Sequence, residues 1–266
     1  MGHRSSADVL ARDLAAHGIC EGDLHYLLPT HVHLDHCGSC GVLANLYPDA
    51  SILVHPRGQP HLSDPTKLVA GATELFGQEQ MKKFGLPDPI DPKRVRGVSD
   101  GEEIVLGNGL TLRAIWTPGH APHHVSYLLE DSGAIFTGDA VGIQYAAFPI
   151  LIPTTPPPSF NFEKAEDSLE RLRALSPRIL CTPHFGVVDN ACNRLAQDLD
   201  TLRSWKDHVA TLASKTSSAT KIVEAMTEEL CKRAEQPPAK LPEDLQTTMR
   251  LSVQGLLTSL KWNSNQ

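Results

Sequence analysis

Thr30-His31-Val32-His33-Leu34-Asp35-His36 is the stretch on which the reading of this chain turns. His31, His33, Asp35 and His36 can all ligate a metal, and all offer nitrogen or oxygen. His31 and His33 are two apart, so on an extended segment they point the same way. Asp35 and His36 follow where the pattern turns helical, and they can face a second point in space. One short segment can therefore serve two cations. Imidazole and carboxylate donors suit zinc, manganese or iron, and two such ions a few ångströms apart can hold a hydroxide between them. A polar loop with chance histidines would not be matched by further ligands downstream, and such ligands are present.

Moving towards the N-terminus, Asp23 to Leu28 reads as a short buried strand that delivers the cluster at its carboxyl end, where α/β folds place chemistry. Before it, residues 5–18 read as an amphipathic helix with Ser5 or Ser6 as cap, Val9, Leu10 and Leu14 as buried stripe, and Gly18 as stop. Moving the other way, residues 38–47 read as a helix and Ser51–His55 as a strand, with His55 in a structural role. Residues 56–98 break the alternation, with a helix near Leu68–Phe84. Strands resume at Glu103–Leu106 and Leu110–Trp116, and the Asn108-Gly109 pair between them signals a hairpin.

Thr117-Pro118-Gly119-His120 follows that strand directly, so His120 can join the cluster. His124 enters the strand running to Leu129 and reads as buried and hydrogen-bonded, whereas His123 can face a substrate. Ala134–Thr137 ends in Gly138-Asp139, and a carboxylate there can bridge two cations. Residues 140–162 are rich in proline and aromatics, including Tyr145, Phe148, Phe160 and Phe162. They can wall a substrate pocket, which makes Tyr145 and Phe148 candidate substrate contacts, or act as a rigid connector packed on the core. A helix over 163–175, capped by Asn161, leads to strand Arg178–Cys181 and to His184, the last candidate ligand. Beyond residue 190 strand signals vanish. Helical periods occupy 194–214, 219–233 and 242–260, with an interruption at Gln236-Pro237-Pro238.

The 266 residues allow one large layered domain, and 41% hydrophobic content is enough for its core. The expected division is a domain over 1–190 and a helical extension over 191–266 packed on it. A net charge of -7 disfavours nucleic acid and anionic membranes as partners. No run of 18 apolar residues and no signal peptide is visible, so a cytoplasmic location is expected. The six cysteines are scattered. Cys37-Gly-Ser-Cys40 has redox-motif spacing, but reads better as small residues packing a helix start.

The set H-x-H-x-D-H (His31 to His36), TPGH (His120), TGD (Asp139) and PHFG (His184) resembles the metallo-β-lactamase superfamily hydrolases. The stretches HPRGQPHLSDPTKLV and TTPPPSFNFEKAEDSL are similar to a broad group within it, of the glyoxalase II and lactonase kind. The resemblance implies an αββα sandwich with two metals at one edge. It implies His31, His33 and His120 on one ion, Asp35, His36 and His184 on the other, and Asp139 bridging. It further implies two zinc ions, with manganese or iron as alternatives. A metal-bridged hydroxide would cleave a lactone, thioester or phosphoester, with Asp35 orienting the nucleophile. Two other functions stay open: a mononuclear iron oxidoreductase resembling the persulfide dioxygenases, and a non-catalytic metal-binding scaffold. Family members usually begin with several strands, whereas only 30 residues precede His31, so those strands are expected to be missing. An uncovered sheet edge invites pairing, and the helical section can build a homodimer interface.

Overall fold

Parallel strands need long crossovers, and the first hundred residues supply them with helices. In the computed structural model, which describes residues 1–145, 148–184, 186–235, 237 and 241–261, contacts divide the chain into two units, Met1–Glu102 and Glu103–Gln266. The first unit begins with α1 (Ala7–Ala16) and reaches β1 (Tyr26–Leu27). Next come α2 (Leu34–Cys37) and α3 (Cys40–Leu46), then β2 (Ser51–Val54). The second crossover holds α4 (Gln59–Ser63), α5 (Thr66–Phe76) and α6 (Gln78–Phe84), and it returns to β3 (Val95–Gly97). The three strands form a parallel sheet in the order β1-β2-β3. Val32, Leu43, Ile52 and Val54 lie in its core.

Five expectations change in this unit. Val9 is 48% exposed, so the buried stripe of α1 reduces to Leu10 and Leu14, which pack partly against the core. Ser6 occupies the N-cap without a side-chain bond to the helix. The strand at 23–28 shrinks to two residues. The helix near 68–84 is two helices, because Gly77 takes φ +80° between them, a conformation that favours glycine. Strand β3 lies in a segment where no strand was expected.

The second unit opens with a hairpin of β4 (Glu103–Gly107) and β5 (Leu110–Trp116). Asn108 and Gly109 both have positive φ, +51° and +81°, as a type I′ turn demands. Then come β6 (Val125–Leu129), β7 (Ala134–Phe136), β8 (Ile143–Tyr145) and β9 (Phe148–Ile152). After α7 (Phe162–Ala174) follow β10 (Ile179–Thr182) and β11 (Gly186–Val188). Three helices follow among the described residues: α8 (Ala191–Ala213), α9 (Ala219–Arg233) and α10 (Glu243–Ser259). Six strands make a mixed sheet ordered β11-β10-β7-β6-β5-β4, with only β10 and β7 parallel. The β8–β9 pair is a separate antiparallel hairpin.

Asn161 caps α7 as expected, its Oδ1 accepting from the Lys164 N–H at 2.9 Å. The residue 140–162 segment holds the β8–β9 hairpin and packs Phe148, Phe160 and Phe162 into the core, so it is a connector packed on that core. Leu128, Ile135 and Leu180 of the sheet share that core with Leu172, Leu195, Leu202, Met249 and Val253 of the helices. The helical section thus shares the core of the second unit. Of the interruption expected before α10, Gln236 and Pro238 lie outside the described residues, as does Phe185 of PHFG. The mixed α/β class and the helical C-terminal section agree with the sequence reading.

Candidate functional site

Of the candidate ligands, His31, His33, Asp35 and His36 belong to the first unit, and His120, Asp139 and His184 to the second. In the first, β1 runs out into the loop that carries His31 and His33, and α2 carries Asp35 and His36. His31 and His36 are buried, while His33 and Asp35 are half-buried. His31 is central. The His36 ring lies 4.1 Å from it and the His33 ring 4.6 Å, nearly perpendicular. Thr30 Oγ1 lies 3.1 Å from His31 Nδ1, and Asp35 Oδ2 lies 3.3 Å from His36 Nε2. His55 has the structural role read for it: its Nδ1 accepts from the Arg57 N–H at 3.0 Å and caps a short 3-10 turn. Burial, and secondarily Arg57, lowers its pKa.

In the second unit the TPGH loop leaves β5. Gly119 has φ +140°, and a Cβ there would stand 2.4 Å from the Cα of Ala165 in α7. Only glycine lets the loop pass this close to the helix. His120 Nδ1 donates to the Thr154 carbonyl at 2.9 Å, so its Nε2 carries the lone pair. That nitrogen lies 3.5 Å from Asp139 Oδ2, while His184 Nε2 lies 3.4 Å from Asp139 Oδ1. These separations are long for charge-assisted hydrogen bonds. Two ligands each about 2.1 Å from one ion, at tetrahedral angles, stand about 3.4 Å apart. The Asp139 carboxylate therefore presents one oxygen to each of two imidazoles at the spacing of donors that share a metal ion. Within this unit the donor set fits metal binding.

Asp139 is also held through its backbone. Its N–H donates to His124 Nε2 at 2.9 Å, and its carbonyl accepts from Thr154 Oγ1 at 2.6 Å. His124 is buried and hydrogen-bonded, as expected for it. Three residues on, the chain is clamped again. Asp198 Oδ1 accepts from the Gly142 N–H at 2.7 Å, and Arg194 Nη2 donates to the Gly142 carbonyl at 2.7 Å. Arg194 lines a cleft beside Asp139 together with Gln144, Thr182 and His184.

Among the residues expected to touch substrate, His123 is half-buried just before β6. Tyr145 is half-buried, and its hydroxyl meets Thr248 Oγ1 of α10 at 2.9 Å. Phe148 is corrected: at 1% exposure it belongs to the hydrophobic core, where it anchors the hairpin instead of walling a pocket. The Cys37 and Cys40 thiols are buried, and burial pushes both up, Cys40 to about 12. A redox motif needs the opposite shift. Sequence reading missed Thr154, Thr117 and Ser126. It also missed the Arg194–Asp198 pair, for which the i,i+4 spacing was an available signal.

A family model described as the metallo-beta-lactamase superfamily matches residues 2–184. The chain belongs to that superfamily. It is 35% identical over 168 residues to the metallo-beta-lactamase fold-containing protein ST1585 of Sulfurisphaera tokodaii, an alignment covering 62% of each chain. An atrochrysone carboxyl ACP thioesterase of Aspergillus fumigatus is 27% identical over 180 residues, which is 65% of this chain and 42% of the thioesterase. The chain thus spans less than two thirds of either relative's length. The crystal structure of the archaeal superfamily protein ST1585 from Sulfolobus tokodaii superimposes with a TM-score of 0.65 at 27% identity, over 88% of this chain and 80% of that one. The chain therefore has the metallo-β-lactamase fold expected from its motifs. Among the described residues no helix is long and apolar enough to cross a membrane.

Proposed function

We propose that this metallo-β-lactamase superfamily member is a metal-dependent hydrolase of small ester-like substrates, with thioesters first among them. The reading rests on one observation above all: the two Asp139 oxygens each face the Nε2 of a different histidine, at 3.5 Å from His120 and 3.4 Å from His184. Carried over from the family motifs, His31, His33 and His120 would hold one ion, Asp35, His36 and His184 a second, and Asp139 would bridge them. A bound zinc pair would supply hydroxide near neutral pH and Lewis-acid stabilisation of the developing oxyanion. Asp35 would orient the attacking group by accepting its hydrogen bond. The Thr154 carbonyl would keep the His120 proton on Nδ1, away from the ion. His123 and Tyr145 remain candidate substrate contacts. Thioester preference is supported by the fungal relative's name, and lactones and phosphoesters would suit the same donors.

The test is metal analysis of the purified protein combined with a panel of acyl thioesters, lactones and phosphodiesters, run with and without chelator. Expected are two zinc per chain, turnover abolished by chelator, and loss of both turnover and metal in Asp139→Ala. One iron per chain would favour the oxidoreductase instead. Metal-loaded protein inert on every class would favour a scaffold.

A further inference from the structure

The family match ends at residue 184, yet α10, well beyond it, is bonded to the segment that orients two candidate ligands. Ser252 Oγ donates to the Pro153 carbonyl at 2.6 Å, and Thr155 Oγ1 donates to the Ser252 carbonyl at 2.7 Å. One turn further along α10, a Cβ on Gly255 would stand 1.7 Å from the Thr155 carbonyl oxygen, so residues 153–155 press on bare helix backbone. Thr155 and Ser252 are both 2% exposed, and burial keeps water from competing for these bonds. Between the two anchored residues stands Thr154. Its carbonyl accepts a hydrogen bond from His120 Nδ1, and its hydroxyl donates to the Asp139 carbonyl. Alternate residues of one strap thus bind the helix and the ligands.

We infer that α10 is a positioning element for the metal centre, with Ser252 and Gly255 fixing the Pro153–Thr155 strap and Thr154 passing that position to His120 and Asp139. The inference rests on the proposed metal-binding role of those two residues. It gives the C-terminal section a task in the chemistry besides filling the core. Loss of an outer partner of a ligating histidine costs about 10- to 100-fold in metal affinity.

Three variants of the full chain test it: Ser252→Ala, Gly255→Ala and Val253→Ala. Val253 is a core residue of the same helix whose side chain makes none of these bonds, so it controls for lost stability. The readouts are zinc affinity, the visible spectrum of the cobalt-substituted protein, and the 15N spectrum of histidine-labelled metal-free protein. Ser252→Ala and Gly255→Ala are expected to weaken zinc binding at least about tenfold, alter the cobalt spectrum and expose the His120 Nδ1 proton to exchange. Val253→Ala is expected to melt earlier while keeping all three signatures. Wild-type signatures in Ser252→Ala, or equal changes in Val253→Ala, would overturn the inference. Should Gly255→Ala not fold, Ser252→Ala decides alone. A wild-type protein that takes up no metal would defeat the metal reading, and the metal-free histidine spectra would still judge the strap.

Discussion

The backbone N–H of Asp139 donates to Nε2 of His124 at 2.9 Å, and this one bond orders a buried polar chain. Because Nε2 accepts, the ring proton sits on Nδ1 and points at Thr117 Oγ1, 2.8 Å away. Ser126 Oγ donates to the Thr137 carbonyl at 2.9 Å, so the Thr117 hydroxyl must donate to Ser126. Every member is satisfied, and the chain runs back to the residue two places before Asp139. His124→Phe keeps the bulk and leaves the Asp139 N–H and the Thr117 hydroxyl short of a partner. A loss of about 2–4 kcal/mol is expected from two such buried groups, measured by urea unfolding. Zinc uptake should fall as well, because the Asp139 peptide then loses this anchor. Unchanged stability would show that the bond contributes nothing.

Gly119 is the steric condition for His120. A Cβ at this position meets the α7 backbone at 2.4 Å, and φ +140° is a conformation that side chains avoid. Gly119→Ala must move the loop or the helix. A destabilisation above about 3 kcal/mol is expected, at the upper end of single-site effects. Differential scanning calorimetry would check it, and a melting temperature within a degree of wild type would refute it.

The contrast between His120 and Thr154 shows what a sequence can announce. His120 is legible because its residue type, its TPGH context and its place after a strand all point to ligation. Thr154 is an ordinary residue among prolines, and its role comes from what α10 and β5 bring to either side of it. His124 was legible as a buried histidine, but its partner was not, since the Asp139 N–H arrives fifteen residues later. Phe148 misled because an aromatic beside prolines looks alike in a pocket wall and in a core. Val9 misled because apolar periodicity fixes a helical face, while tertiary packing decides how much of that face is covered.

Thiol chemistry separates the C-x-x-C spacing from redox function. Cys37 and Cys40 are buried, and burial raises both thiols, so few thiolates are available to react near neutral pH. Cys20 and Cys192 are exposed. Native protein treated with an aromatic disulfide reagent should react quickly at Cys20 and Cys192 and slowly at Cys37, Cys40 and Cys231 until denaturant is added. Peptide mapping of the early adducts would check it, and fast labelling at Cys37 would revive the redox reading.

The Arg194–Asp198 pair makes a pH-dependent prediction whose sign discriminates between two states of the site. Burial pushes the Asp198 carboxyl up to about 7, with Arg194 and the Gly142 N–H pulling the other way. An unfolded aspartate titrates near about 3.9. Between these values the unfolded chain has released the proton and the folded chain still holds part of it. The unfolded state then binds fewer protons, so stability falls as pH rises through the window and levels off above about 7. The contribution is fully present below about pH 4. Asp198→Asn keeps an acceptor for the Gly142 N–H and does not titrate. Subtracting its unfolding profile from that of wild type isolates the group from the histidines. The difference should decline with pH at less than about 1.4 kcal/mol per unit, the limit for one proton. A difference that instead grows with pH would mean that Arg194, 3.1 Å away, keeps the carboxylate ionised despite its burial. Asp198→Ala leaves the Arg194 charge buried without its counter-ion, and should cost about 3–5 kcal/mol at neutral pH.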